Sequence, residues 1–178
     1  SALTDACKWL TKEFGVLVAS PYFCTPKSES KTFEPKRFAC YFEQPKLSLD
    51  AKDFLFTRRH LHPAVVRYCR LNSYKDWLQI PYYDIYGNFM GIQSRYMGRD
   101  MSQPRFRFPR GKGCHIYNMQ VLKMLTPAED LYIAEGCSDC WALLSAGHKT
   151  MAIPSATLLD TEELKNALLK ANLVENRN

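Results

Sequence analysis

The sequence predicts an α/β protein, in which a mixed α+β N-terminal part is followed by the first half of a parallel sheet. Leu78, Ile80 and Tyr82 alternate with other residues, a turn follows, and a second strand pattern predicts an antiparallel hairpin. From Leu131 to Leu173 short strand patterns alternate with helical ones. This order predicts parallel strands joined by right-handed crossovers.

The composition is that of a globular protein. The 178 residues are 46% hydrophobic and 24% charged, and the net charge of +6 permits nucleic-acid binding without establishing it. The apolar runs are too short to cross a bilayer, so no membrane partner is expected. Seven cysteines, an odd number with no signal-peptide pattern before them, predict reduced thiols and a cytoplasmic location.

Residues 1–50 are predicted to be an N-terminal helix and a linker. Leu3 to Phe14 repeats apolar residues at helical spacing, and Gly15 follows as a stop. Prolines and serines interrupt the pattern from Ser20 to Asp50, which is typical of a linker or a long irregular connection. The chain begins with Ser1 rather than Met, so we expect further sequence upstream.

Residues 51–128 are predicted to form a mixed α+β subdomain. Asp53 to Arg59 is helical in pattern, and His62-Pro63 begins a second short helix, because proline suits the first turn. The hairpin follows, with Asp84 to Asn88 as its turn. A basic segment and a short helix from Gln120 to Leu125 complete this part.

Residues 129–178 carry the parallel unit. Leu131 to Ala134 is predicted to be a buried strand, and Ser138 to Ala146 a helix that ends at Gly147. Thr150 to Pro154 is a second short strand, and a helix from Thr161 to Leu173 follows a cap at Asp160 or Thr161. The carboxyl ends of such strands are where ligands collect in open α/β sheets.

Glu135 and Asp139 form the strongest candidate site. Glu135 stands at the carboxyl end of the predicted strand, and Asp139 lies in the first turn of the following helix. Gly136 allows a tight turn between them without a Cβ. Two converging carboxylates suit Mg²⁺, which prefers oxygen ligands. An equally simple interpretation is that Asp139 favours the helix dipole and Glu135 is solvated.

The residues around this pair resemble the first strand and helix of a TOPRIM domain, which has a Rossmann-like sheet. The resemblance rests on the apolar strand, on Glu135-Gly136-x-x-Asp139, and on an Ala- and Leu-rich helix ending in Ala146-Gly147. The next strand, from Met151 to Ala156, is similar to the second strand of that family. The resemblance to TOPRIM domains implies that Glu135 acts as general acid/base or metal-organising carboxylate and that Asp139 helps to hold Mg²⁺ or Mn²⁺.

Upstream motifs resemble bacterial DnaG-type DNA primases in their order and spacing. Ile80 to Arg95 is similar to the primase hairpin, with its apolar-Pro-x-x-Asp and Gly-apolar-x-x-Arg pattern. The helical pair from Phe54 to Leu71 and the segments Pro104 to Pro109 and Ile116 to Asn118 resemble their primase counterparts. The resemblance implies RNA primer synthesis on a single-stranded DNA template, by metal-dependent nucleotidyl transfer from nucleoside triphosphates.

A basic segment with interleaved aromatic residues is the second candidate site. Its cations are Arg95, Arg99, Arg105, Arg107, Arg110 and Lys112, and its acid is Asp100. Cations neutralise phosphates, and aromatic rings stack on single-stranded bases. The resemblance implies that Arg95 and Arg105 contact phosphates of the template or the nucleotide. Arg107, Arg110 and Lys112 are further candidates, and a solvated basic rim is the alternative.

Two parts of a primase are not found in this sequence. The second acidic motif of the family, Asp-x-Asp, does not occur, and the zinc-binding module is expected only upstream of Ser1. We therefore expect an incomplete catalytic fragment, inactive by itself, with a replicative helicase as a partner of the missing C-terminal region. Two alternatives stay open: a TOPRIM nuclease or mobile-element DNA-processing enzyme, and a non-catalytic module that binds single-stranded DNA.

Other residues of reactive type are predicted to be structural. Cys137 and Cys140 have no second pair at zinc-site spacing, so we expect them to pack around the start of the helix. The two histidines beside Leu61 are expected at the surface or as a helix cap. Trp77 and Trp141 are expected in the core rather than as stacking platforms.

Overall fold

The computed structural model describes residues 34–108, 115–126, 128–154 and 160–173, which build two sheets with helices packed on them. The first sheet is antiparallel, and its strands lie in chain order: β1 (Asn72–Tyr74), β2 (Trp77–Tyr83), β3 (Phe89–Tyr96) and β4 (Phe106–Arg107). The second sheet is parallel and pairs β5 (Leu131–Glu135) with β6 (Lys149–Ile153). The predicted α/β class, a mixed part followed by a parallel unit, is therefore confirmed.

The helical layer before the first sheet contains more structure than the sequence predicted. α1 (Pro35–Ala39) runs into a 3-10 turn (Cys40–Phe42), and α2 (Leu49–Lys52) continues as a π-helix (Asp53–Arg58). The expectation of a linker or irregular connection is thus wrong for α1, for the 3-10 turn and for the first two residues of α2. The cause is local: Pro35 begins α1, and the Ser48 hydroxyl caps α2 by accepting from the Ala51 N–H at 3.2 Å. The predicted helix from Leu3 to Phe14 lies outside the described residues.

The short helix predicted at His62-Pro63 is present as α3 (Pro63–Tyr68). Proline occupies its first turn, and the His62 Nδ1 accepts a hydrogen bond from the Ala64 N–H at 3.2 Å. A surface or capping role was expected for this histidine, and the structure shows the cap.

The β2–β3 hairpin sets the positions of the site residues on the first sheet. Its turn is held by Asp84, whose Oδ1 accepts from the backbone N–H groups of Tyr86 and Asn88 at 2.8 and 2.9 Å. The register pairs Ile80 with Gln93 and Leu78 with Arg95. Because alternate residues of a strand share a face, Gln93 and Arg95 project on the same side of β3.

The parallel unit has the predicted order of elements. α4 (Cys137–Ser145) follows β5, and α5 (Thr161–Lys170) follows β6, with the Asp160 carboxylate capping α5 at the Glu163 N–H. One expectation was wrong: β5 is not a buried strand, since Tyr132 and Ile133 are 39% and 51% exposed. Within the described residues β6 is the strand that pairs with β5, and no described strand pairs with the other edge of β5.

A shared core joins the two sheets. Leu55, Leu78 and Ile80 belong to the same buried cluster as Cys140 and Trp141, and each of them is at most 1% exposed. Trp77 and Trp141 are both buried, as predicted. The domain boundaries after residues 50 and 128 remain predictions.

The segment before β5 connects the core to the parallel sheet. Tyr117 forms an antiparallel bridge with Ala152, and its hydroxyl accepts from the Trp141 Nε1–H at 3.0 Å. A 3-10 helix (Met119–Met124) replaces the ordinary helix expected from Gln120 to Leu125. None of the helices in the described ranges is long and apolar enough to cross a membrane.

Candidate functional site

A cleft of about 440 Å³ lies where the carboxyl end of the parallel sheet meets the antiparallel sheet. On one side, its walls are formed by β2, by β3, by residues in and beside β4, and by Arg59, which follows the π-helix. On the other side, they are formed by the β5–α4 turn and by the end of β6. Its charged and polar lining residues are Arg59, Tyr82, Gln93, Arg95, Arg105, Tyr117, Glu135, Ser138 and Asp139. Two acids and two arginines predicted from the sequence therefore line one cavity, together with residues that sequence reasoning did not single out.

Glu135 and Asp139 form the acidic wall. Glu135 ends β5 opposite Ile153 of β6, and Asp139 is the third residue of α4. The Gly136 N–H donates to the Ile153 carbonyl at 3.0 Å, which holds the turn against the end of β6. Both carboxylate residues are solvent-exposed, so they are available to a ligand. Their chemical roles remain predictions.

Gly136 makes the turn between the two acids possible through its backbone. Its φ is +99°, a conformation that other residues adopt only with strain. A Cβ built on Gly136 would have no heavy atom within 4 Å. Glycine is therefore needed here for its φ angle and not for lack of space.

Three arginines form the basic wall. Burial, reinforced by the nearby charges of Arg105 and Arg59, lowers the pKa of Arg95 to about 10. The Arg95 Nε is buried and has no hydrogen-bond partner. Salt bridges in the described ranges join Arg58 to Asp53 and His115 to Glu163, so the three arginines have no acidic partner there. Such a cluster favours binding of an anion.

Aromatic rings alternate with these arginines. The Phe54 ring lies between the guanidinium carbons of Arg59, at 5.6 Å from its centroid, and Arg95, at 4.6 Å. Phe106 lies between Arg95 and Arg105, at 5.2 and 5.5 Å. Cation–π contacts of this kind hold the guanidinium planes without neutralising their charge. The arginines of the basic wall therefore pack against aromatic rings and keep their charge for a ligand.

Arg107, a further basic candidate, is not part of this wall. The guanidinium carbon of Arg107 lies 3.6 Å from the centroid of the Trp77 ring, and Arg107 does not line the cleft. Because Arg107 follows Phe106 on a strand, its side chain projects on the opposite face of the sheet. Arg110 and Lys112 lie outside the described residues.

Three polar side chains occupy the floor of the cleft. The Gln93 Oε1 accepts from the Tyr82 hydroxyl at 3.3 Å and from the Cys137 thiol at 3.5 Å. The Tyr82 hydroxyl and the Cys137 sulfur are themselves 3.3 Å apart. This network joins β2, β3 and the first residue of α4, so it ties the acidic wall to the hairpin.

Sequence reasoning assigned no site role to Arg59, Tyr82 or Gln93. The sequence held one usable signal for Gln93, since it precedes Arg95 by two residues and must share its face of the strand. Arg59 follows the π-helix and lines the cleft beside Phe54, whose ring also contacts Arg95. No local pattern in the sequence predicts that contact.

The cysteines expected to be structural are buried. Cys137 and Cys140 are 7% and 0% exposed, which confirms their predicted packing at the start of α4. Burial raises the pKa of Cys69 to about 12 and that of Cys140 still further, so neither thiol is ionised near neutral pH. Cys114 lies outside the described residues, and His115 contacts Glu163.

Comparison with known proteins identifies solved structures that have a similar fold. No protein-family model and no curated protein matches the chain. The structure of the Aquifex aeolicus primase, comprising zinc-binding and RNA polymerase domains, aligns with 94% of this chain and 51% of its own, with a TM-score of 0.59 and 18% identity. A DNA primase domain from Pseudomonas aeruginosa aligns with 76% of this chain and 58% of its own, with a TM-score of 0.57 and 16% identity.

A third similar structure is a DnaG primase catalytic domain bound to single-stranded DNA. It aligns with 76% of this chain and 56% of its own, with a TM-score of 0.53 and 16% identity. The chain thus spans about half the length of the solved structures it matches. Over most of its length it has the fold of the DnaG primase catalytic core. At these identities the likeness shows the fold and leaves the activity open.

Proposed function

We propose that this chain is part of the catalytic core of a cytoplasmic DNA primase, which synthesises RNA primers on single-stranded DNA. The observation that carries the proposal is the shared cleft, in which Glu135 and Asp139 lie on one wall and Arg95 and Arg105 on another. Acids at a strand end and an unpaired arginine cluster are the two components that phosphoryl and nucleotidyl transfer require.

The arginine wall would bind phosphates. Arg59, Arg95 and Arg105 raise one another's electrostatic energy, and a bound triphosphate or template phosphate would relieve this repulsion. The Arg95 guanidinium group lies against the rings of Phe54 and Phe106, and its planar set of N–H donors suits phosphate oxygens. The lowered pKa of Arg95 still leaves it charged at neutral pH, so the basic wall keeps this positive charge under physiological conditions.

The acidic wall would bind a divalent cation. No group of three or more His, Cys, Asp or Glu within the described ranges is arranged to hold a metal by itself. Two exposed carboxylates nevertheless fit Mg²⁺, which proteins commonly hold through one or two carboxylates together with phosphates and water. When bound, the ion would neutralise charge on the transferred phosphoryl group. Glu135, at the tip of β5, would accept or donate a proton in the same cleft.

The aromatic side of the cleft would contact bases. Phe106 is 39% exposed and Phe108 also lines the cavity, so both are accessible to a stacked base. One similar structure is a primase catalytic domain bound to single-stranded DNA. On this proposal the template backbone and the nucleotide phosphates share the arginines, and a replicative helicase contacts other parts of the complete enzyme.

Substitution of Glu135 tests the proposal in the protein that carries this chain. We expect Glu135→Gln to reduce primer synthesis on single-stranded DNA at least about 100-fold, the usual range for loss of an acid/base group. Glu162→Gln, at an exposed position in the first turn of α5, is the matched control and should leave synthesis unchanged.

Two results would support the alternatives instead. Undiminished primer synthesis by Glu135→Gln, with single-stranded DNA binding intact, is the result expected of a non-catalytic binding module. Cleavage of the DNA without labelled RNA products, lost in Glu135→Gln, is the result expected of a TOPRIM nuclease.

A further inference from the structure

Gln93 occupies the middle of the cleft between the two charged walls. It lies on β3, two residues before Arg95 and on the same face, opposite Ile80 of β2. Ile80 is 1% exposed, whereas Gln93 is half-buried and lines the cavity. Gln93 therefore reaches the cleft from the face of the hairpin that also carries Arg95.

The orientation of the Gln93 amide is set by its neighbours. Tyr82 and Cys137, 5% and 7% exposed, both direct hydrogen-bond donors at its Oε1, at 3.3 and 3.5 Å. These two residues come from β2 and from the start of α4, so three elements converge on one oxygen. The amide oxygen is consequently held by two donors, and the NH₂ group of the same amide is left for another partner.

The Gln93 Nε2 makes no hydrogen bond to any described residue. An amide NH₂ group supplies two uncharged donors. Phosphate oxygens in this cleft would go to the guanidinium groups of Arg59, Arg95 and Arg105, since charge-assisted bonds are the stronger ones. An uncharged donor beside them suits an uncharged acceptor.

We propose that Gln93 is a specificity-determining residue that donates from its amide to an uncharged oxygen of the nucleoside, either a ribose hydroxyl or a base carbonyl. Tyr82 and Cys137 are its positioning residues. This inference rests on the proposed function, because it requires that the cleft bind a nucleotide. The inference gives the nucleoside a contact of its own, in addition to the contacts between the arginines and the phosphates.

Calorimetric titration of the 178-residue chain with two kinds of ligand tests the contact. The four ribonucleoside triphosphates carry both phosphates and nucleoside, whereas inorganic tripolyphosphate carries only the phosphate chain. The measured quantity is the ratio of the tripolyphosphate Kd to the nucleotide Kd. We expect Gln93→Met to lower this ratio about three- to tenfold, the effect of one neutral hydrogen bond.

Two further variants guard the interpretation. Gln93→Ala also removes the NH₂ group, and the space that it leaves can admit water to accept from Tyr82 and Cys137. It should lower the ratio as Gln93→Met does, even if the methionine variant fails to fold. Gln79→Met is the matched control, because Gln79 is half-buried on β2, bonds to Asn72 and does not line the cleft.

Each outcome bears on a different claim. A lowered ratio for all four nucleotides supports a ribose contact, and one confined to GTP, CTP and UTP supports a base carbonyl. A ratio unchanged in both Gln93 variants, or lowered equally in Gln79→Met, overturns the inference while the proposed function stands. If the native chain binds neither ligand, the proposed function fails and the inference fails with it.

Discussion

Arg95 and Glu135 line the same cleft although they belong to different sheets. Arg95 projects from the antiparallel hairpin, and Glu135 ends the first strand of the parallel unit. Neither takes part in a salt bridge within the described part of the chain. Opposite charges are thus placed around one cavity without cancelling, an arrangement that leaves both for a ligand bearing phosphates and a cation.

The arginine wall should govern the salt dependence of single-stranded DNA binding. We expect the double substitution Arg95→Glu and Arg105→Glu to weaken binding and to reduce the slope of log K against log salt by about 0.7 for each phosphate that the protein no longer neutralises. Fluorescence anisotropy with a labelled oligonucleotide at several salt concentrations measures both quantities.

Arg67→Glu provides the control for this experiment. Arg67 is an exposed cation on α3 that does not line the cleft. Its reversal changes the net charge as much as one cleft substitution does, but it should have little effect on the slope of log K against log salt. Equal losses of affinity for Arg67→Glu and for either cleft variant taken singly would mean that overall charge, and not the cleft, controls binding.

The charge of Arg95 should lower the free energy of unfolding of the protein. Its pKa, lowered to about 10 mainly by burial, means that folding disfavours the charged form. The penalty is fully present below about pH 10 and is relieved as the pH rises towards the ordinary value of 12.5. At neutral pH we expect Arg95→Met to raise the free energy of unfolding, by on the order of 1 kcal/mol because solvent screens the half-buried group.

Urea unfolding of Arg95→Met checks this expectation, with Arg107→Met as the control. Arg107 is an exposed arginine that stacks on Trp77, so its loss should not be stabilising. A lower unfolding free energy for Arg95→Met than for the native chain would show that the charge is compensated in the native cleft.

Asn118 should be hard to replace because of both its backbone and its side chain. It has a φ of +61°, its Nδ2 donates to the Thr150 carbonyl at 2.7 Å, and its Oδ1 accepts from the Tyr68 hydroxyl at 3.0 Å. Asn118→Gly permits the φ angle and removes only the hydrogen bonds, so we expect the free energy of unfolding to fall by about 2 kcal/mol. Asn118→Ala should cost about 1 kcal/mol more, because alanine is strained at positive φ. Equal midpoints of the two variants in urea would contradict the backbone argument.

Much of the fold follows from local patterns in the sequence. The hairpin turn at Asp84 and the strand–helix alternation after Leu131 have signals within a few residues, and both elements were predicted. Two short strands, β1 and β4, were not predicted, because they have three and two residues and exist only through pairing. The exposure of β5 also escaped prediction, since an apolar strand pattern does not report whether a neighbour covers it.

The site was predictable only where one segment carries it. Glu135 and Asp139 are joined by a single strand-to-helix turn, so their position at the strand end follows from the local pattern. Gln93 and Arg59 reach the cleft through packing between segments distant in sequence. The hydrogen bond between Gln93 and Cys137 joins β3 to α4, and nothing in either segment indicates it.

The Mg²⁺ dependence of nucleoside triphosphate binding tests the central claim most directly. Calorimetric titrations with and without Mg²⁺ should be compared for the native chain and for the double variant Glu135→Gln, Asp139→Asn. We predict that Mg²⁺ strengthens binding to the native chain, and that the double variant loses this dependence while still binding the nucleotide without Mg²⁺ through its arginines. An unchanged Mg²⁺ dependence in the double variant would contradict the account, because the two acids would then have no part in holding the ion.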